Sequence, residues 1–191
     1  MVLAFVCSLT VQSQYIETYS FAFKANPYPY GSPIEEGIEA NVLSKKYLFS
    51  VGYYFGEDNE LWVSPPEKYK QLNLLFGGYS DSKNEKFRFQ YQAGLGVFWG
   101  RFRTDQIDTE NSGLLHTAYF TKDINPTIAL PIKIGRRYIP FPSMSIGVDI
   151  QVNINEHTSL LRPMLSIEIG KLRNNYKTPL ARESTLVPKK H

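Results

Sequence analysis

From about Lys70 to Leu172 apolar side chains alternate with polar or small ones, run after run. The cleanest run is Met144 to Ile154. Its even positions are Met, Ile, Val, Ile, Val and Ile, and Ser145, Gly147, Asp149, Gln151 and Asn153 separate them. A strand sends successive side chains to opposite faces, so such a run has one hydrocarbon face and one polar face. The same period predicts strands at about 15–25, 33–43, 46–56, 68–79, 85–103, 127–136, 143–154 and 160–172. The first two alternate least cleanly, and Glu17 falls on the apolar face of the first. No window carries a helical period of useful length. Eight is an even number, as bacterial up-and-down membrane barrels require.

The connections alternate in length. After strands two, four and six they are short: Ser44-Lys45, Ser80 to Asn84, and Arg137 to Pro142. After strands one, three and five they are longer: Asn26 to Gly31, Glu57 to Glu67, and Thr104 to Pro126. The last, Asn155 to Ser159, is short on the long side. Membrane barrels keep short turns in the periplasm and long loops outside the cell. Within the third long connection, Gly113 to Phe120 holds Leu114, Leu115, Tyr119 and Phe120, more apolar surface than a solvated loop needs. It is expected to fold over the barrel mouth or to extend a strand above the membrane.

Which face points outward decides the class. With the apolar parity outside, the lipid side carries Phe87, Phe89, Tyr91, Leu95, Val97, Trp99, Ile128 to Ile134 in alternation, Leu165, Ile167 and Ile169. The lumen then receives Gln71, Asn73, Gln90, Gln92, Asn41, Ser145, Gln151, Asn153 and Ser166. With them come the ionisable Glu39, Arg88, Lys133, Asp149 and Glu168. The reverse assignment is a soluble, lipocalin-like barrel around a small apolar ligand. Glycine parity favours the membrane: Gly52, Gly56, Gly77, Gly94, Gly96, Gly100, Gly135, Gly147 and Gly170 all share the polar side, which suits a crowded concave interior. Aromatic residues on the apolar side gather at strand ends. Tyr15, Tyr47 and Phe87 stand at one rim; Phe23, Tyr53, Phe55 and Trp99 stand at the other, as lipid–water girdles do. Arg101 shares the outward parity beyond Trp99, from where it reaches the headgroups.

Composition agrees with one domain in 191 residues, with 14% aromatic content and 13 Tyr and 12 Phe. The net charge of +3 is too weak to indicate nucleic acid. A negative mean hydropathy does not exclude a membrane, because half of each barrel strand faces away from lipid. Residues 1–13 read as a signal peptide whose apolar core is Met1 to Val11, with Val11 and Ser13 as small-residue cleavage positions and no basic segment ahead. The sole cysteine, Cys7, lies in that run after Val6, not after the small residue a lipid anchor wants. Residues 14–172 form the expected barrel. Residues 173–191 are expected to form a basic, disordered periplasmic tail.

These features together resemble the small eight-stranded outer-membrane β-barrel proteins of Gram-negative bacteria. The resemblance covers about Tyr15 to Leu172 and rests on pattern, without a diagnostic motif. It implies an interior filled by a charged and polar network, which Glu39, Arg88, Lys133, Asp149 and Glu168 would form. It also implies outer-membrane location, contact with membrane lipids and lipopolysaccharide, monomers, and an external partner engaged through the loops. One departure is that such chains end their last strand on an aromatic residue, whereas here Leu172 is followed by the tail.

Catalytic, cofactor-binding and metal-binding residues are not expected. His157 and Ser159 invite comparison with lipid-modifying barrel enzymes, but no acid is in place to orient the histidine: Glu156 points away and Glu168 faces inward. Glu57, Asp58, Asn59, Glu60, Asp105, Asp108 and Glu110 lack calcium-loop spacing and read as solvated loop charge. The glycines precede no helix, so no phosphate-binding loop is present.

Overall fold

The computed structural model describes residues 18–26, 34–58, 63–157 and 159–173. Its strands are β1 (Thr18–Ala25), β2 (Ile34–Ser44), β3 (Tyr47–Glu57), β4 (Val63–Ser64), β5 (Lys68–Asp81), β6 (Phe87–Ile107), β7 (Thr117–Phe141), β8 (Met144–Asn155) and β9 (Ser159–Lys171). Apart from the two-residue β4, each pairs antiparallel with its neighbours in the chain. β1 also pairs with β9, from Tyr19↔Lys171 to Ala25↔Leu165, so the sheet closes into an eight-stranded barrel. Closure leaves no sheet edge in the membrane-spanning wall, which is the condition for strands to cross hydrocarbon.

The apolar parity faces out. Ile132, Val148 and Ile167 are 43%, 52% and 48% exposed, while Gln71, Asn73, Gln151 and Asn153 are fully buried. A ligand-binding barrel would show the opposite, so the soluble alternative is overturned. Across neighbouring strands the outward residues make continuous stripes, such as Phe55–Lys70–Trp99 and Phe49–Phe76–Ala93–Ile132–Val152. Aromatic contacts tie them together, Phe49–Phe76 at 4.8 Å and Phe87–Tyr138 at 5.2 Å between ring centroids. Aromatic side chains are not confined to the rims: Phe49, Phe76, Phe89 and Tyr91 spread over adjoining β3, β5 and β6.

The third long connection differs most from expectation. It is not a loop from Thr104 to Pro126, because β6 and β7 continue as a paired hairpin, Phe102↔Lys122 and Arg103↔Thr121, to Ile107↔Tyr119. Two register shifts, at Phe98/Gly100 and Arg103/Ile107, bend this arm. Clear alternation is lost there because both faces of the arm leave the lipid, so no face must be apolar. Gly113 to Phe120 therefore extends a strand, with Thr117 to Phe120 belonging to β7. The expected turn Arg137 to Pro142 is likewise mostly strand, and only Pro142 and Ser143 lie between β7 and β8. The sequence pattern did not anticipate β4, which pairs parallel with Thr117 and Ala118. The expected signal peptide, Tyr15, Glu17 and the tail beyond Arg173 lie outside the described residues.

Two of the inward glycines stand where the adjoining β5 and β6 backbones approach too closely for a side chain. A Cβ on Gly94 would collide with the backbone carbonyl of Leu74, and one on Gly77 with that of Tyr91. Gly94→Val is expected to lower stability by about 1–3 kcal/mol through overpacking. The adjacent Ala93→Val points into lipid and should be neutral. Urea titration of the detergent-folded protein, followed by the folded gel band, checks both.

Candidate functional site

The strongest concentration of chemistry is inside the barrel. Inward positions on β1, β2, β7, β8 and β9 bring Lys24, Glu39, Lys133, Arg137, Asp149 and Glu168 together, all buried. Lys24 Nζ lies 2.8 Å from Glu39 Oε2 and 2.9 Å from Asp149 Oδ2. Lys133 Nζ lies 2.6 Å from Glu39 Oε1. Arg137 grips Asp149 with both terminal nitrogens, at 2.7 and 2.8 Å, and its Nε is 3.4 Å from Glu168 Oε2. Three cations thus meet three anions in one connected cluster.

Neutral groups add hydrogen bonds to two of the carboxylates. Tyr54 donates to Glu39 Oε2 at 2.6 Å. Glu168 accepts from Ser20, from Ser145 at 2.9 Å and from Asn41 at 3.1 Å. Gln92 continues the chain by donating to Ser50 at 2.7 Å, and Ser50 donates to Asn41. Ions in so dry a site are tolerable only when paired and hydrogen-bonded together.

Of the five ionisable residues expected inside, Glu39, Lys133, Asp149 and Glu168 share this cluster. Arg88 is buried but stands apart at the short-turn rim, where it bonds Asp81 at 2.7 and 3.0 Å and the Leu172 carbonyl at 3.1 Å. Sequence reading missed Lys24, Arg137, Arg162 and Glu35. Parity alone places Lys24, Glu35 and Arg162 inside, whereas Arg137 falls in a stretch that reads as a turn. Arg162 pairs with Glu35 at 3.0 Å, donates to Gln71, and stacks 4.9 Å over the Tyr69 ring.

The lumen is layered, not polar throughout. Toward the long loops, Tyr69, Phe98 and Ala129 form a buried apolar group with Phe102 and Leu160 packed on it. At the short-turn end, Leu43, Leu48, Ile139 and Leu172 point inward and are buried. Above the aromatic layer, Arg103 is held by Asp58 and by Glu67, whose Oε1 accepts the Arg103 backbone N–H at 3.0 Å. Asp58 is therefore a buried ion-pair partner and not solvated loop charge.

Other predicted residues stand on the outside. Tyr47 and Phe87 are at the short-turn rim, and Phe23, Tyr53, Phe55 and Trp99 at the long-loop rim. Tyr19, Tyr138 and Phe141 join the first group, although the sequence reading did not single them out. Asp108 turns the β6–β7 arm, accepting from Glu110 and Asn111 backbone N–H groups at 3.2 Å and from the Asn111 side chain at 2.6 Å. The Asn111 side-chain bond leads in holding its carboxyl below the usual value. His157 and Ser159 are both exposed, and the His157 backbone N–H donates to Asn155 at 2.9 Å. Among the described residues no group of three or more His, Cys, Asp or Glu is gathered as a metal site.

No protein-family model matches the chain, and no curated protein matches it in sequence. Solved structures do match in shape. The N-terminal β-barrel domain of Pseudomonas aeruginosa OprF aligns over 82% of this chain and 99% of its own, with a TM-score of 0.55 and 11% identity. The Yersinia pestis outer membrane protein Ail, determined in a phospholipid bilayer nanodisc, aligns over 81% of this chain and 99% of its own, with a TM-score of 0.52 and 10% identity. The likeness is one of fold: a closed antiparallel eight-stranded barrel of the outer-membrane type.

Removing one member of the cluster leaves its partners charged and buried. Glu39→Gln is expected to destabilise the barrel by about 3–5 kcal/mol. Adding Lys133→Met should recover part of that loss. Arg88→Ala should destabilise clearly more than Arg101→Ala, because the Arg101–Asp123 pair is exposed. Urea midpoints of the four variants measure this, and equal effects at Arg88 and Arg101 would remove the lumen from the stability argument.

Proposed function

We propose that this protein is a non-enzymatic integral outer-membrane barrel. In this reading its short turns lie in the periplasm, and its outer loops serve surface recognition or envelope integrity. The observation that carries the reading is the inversion of faces: hydrocarbon outside, ions and amides inside, in a wall with no open edge. The filled lumen supports a structural role over conduction, because ionic, aromatic and aliphatic layers follow one another along the axis.

The arm formed by β6 and β7 is the feature best suited to recognition. It rises beyond the Trp99 level and presents Leu114, Leu115, Ile107 and Phe120 to solvent. Membrane lipids on the outward stripes and lipopolysaccharide around the arm are the partners this placement favours, with the barrel acting as a monomer. The exposed setting of His157 in the β8–β9 turn and of Ser159 at the start of β9 supports a solvated position for them and not a catalytic one. Residues 1–13 would serve as the export signal in this reading.

The protein is expected to remain with carbonate-washed outer membranes and to change gel mobility on boiling. Reconstituted into planar bilayers, it should give no stable ion channel. Recovery in the soluble periplasm would sink the membrane reading, and steady single-channel currents would sink the sealed lumen.

A further inference from the structure

Arg136 interrupts the outward stripe of β7. Ile134 and Tyr138 flank it at the same parity, and Phe89 and Val148 stand opposite it on the neighbouring strands. The side chain is exposed on the lipid side, with its guanidinium 5.2 Å from the centre of the Phe87 ring. A ring face attracts the cation without neutralising it. Among the described residues no carboxylate pairs with Arg136, and Asp81, which lines the same cleft, is already engaged by Arg88.

Two of the other outward cations differ, and another, Lys70, carries no ion pair among the described residues but shares a cleft with Glu57 and Asp123. At the long-loop rim Arg101 is bonded to Asp123 at 2.7 Å and Lys68 to Glu57 at 2.7 Å. Arg136 instead lines a surface cleft of about 600 Å³. Phe89, Ile134, Val148 and Ile150 make its apolar wall, and Ser80 and Ser82 its polar end. Lys83 and Lys86, on the adjoining β5–β6 turn, are exposed and carry no ion pair among the described residues. A cation inside an aromatic girdle, above an apolar groove and beside two lysines, calls for an anion that brings its own hydrocarbon.

We propose that this cleft binds an anionic phospholipid of the periplasmic leaflet. The headgroup phosphate lies on Arg136, and an acyl chain follows Phe89, Ile134, Val148 and Ile150. A zwitterionic lipid offers the same phosphate but adds an ammonium that Lys83 and Lys86 oppose, so selectivity is for net negative headgroups. The proposal rests on the barrel reading with short turns in the periplasm.

The test places the full chain in nanodiscs of equimolar phosphatidylglycerol and phosphatidylcholine, then counts retained lipids by native mass spectrometry. Phosphatidylglycerol adducts of the wild type should exceed phosphatidylcholine adducts about fivefold, the equivalent of about 1 kcal/mol per cation at an anionic surface. Arg136→Gln should bring the ratio near one, Arg136→Lys should keep most of it, and Arg101→Gln should leave it unchanged. A ratio near one in the wild type, or full preference in Arg136→Gln, would overturn the proposal. Boiling-dependent gel mobility of each sample reads folding separately. A wild type without it would defeat the barrel reading, and this site with it.

Discussion

A chain that crosses hydrocarbon finds no water there for its backbone N–H and C=O groups, and each unmet group costs several kcal/mol. Pairing β1 with β9 meets that demand in a single step, since every strand of the wall then has two neighbours. The rest follows from this closure. Because side chains alternate, a closed wall must have one uniform outside and one uniform inside. Lipid makes the outside apolar, so the polar residues of every strand are forced into a space too narrow for water to solvate them freely.

That confinement explains the lumen. Side chains from distant parts of the chain meet there, such as Lys24 with Asp149 and Glu39 with Lys133. Each ion offsets part of its lost hydration through its partners, and serine, asparagine and tyrosine groups add hydrogen bonds to Glu39 and Glu168. Apolar layers lie at each end of the cluster, around Phe98 toward the loops and Leu48 toward the turns. Burial raises the cost of any unpaired charge, so the ends and the middle of the lumen depend on one another.

The outer surface obeys a gentler rule. At the long-loop rim Arg101 and Lys68 have acidic neighbours one strand away, Asp123 and Glu57. The opposite rim leaves Arg136 without such a neighbour among the described residues, and there the membrane itself is the available counter-charge. Protein and bilayer thus share one electrostatic balance, with the barrel supplying the cation and the leaflet the phosphate.

Strand number, outward parity and the membrane class were legible because period-two alternation is a local property that each strand states for itself, as Met144 to Ile154 does. The positions of Glu39, Lys133, Asp149 and Glu168 on the inner parity followed by the same rule. Their partners did not. Arg137 looked like a turn residue, and Arg88 looked like a member of the central cluster, because parity fixes a face but not a height. Height depends on strand tilt and register, which only the pairing of all eight wall strands sets. The β6–β7 arm was legible only in its apolar half, Gly113 to Phe120, as one of two alternatives: above the lipid neither face needs to be apolar, so Phe102 to Ile107 carry no alternation to read. What the chain settled by itself was which side of each strand meets oil. Only the closed tertiary structure decided which charge meets which, since contacts across a lumen join residues that sequence proximity never brings together.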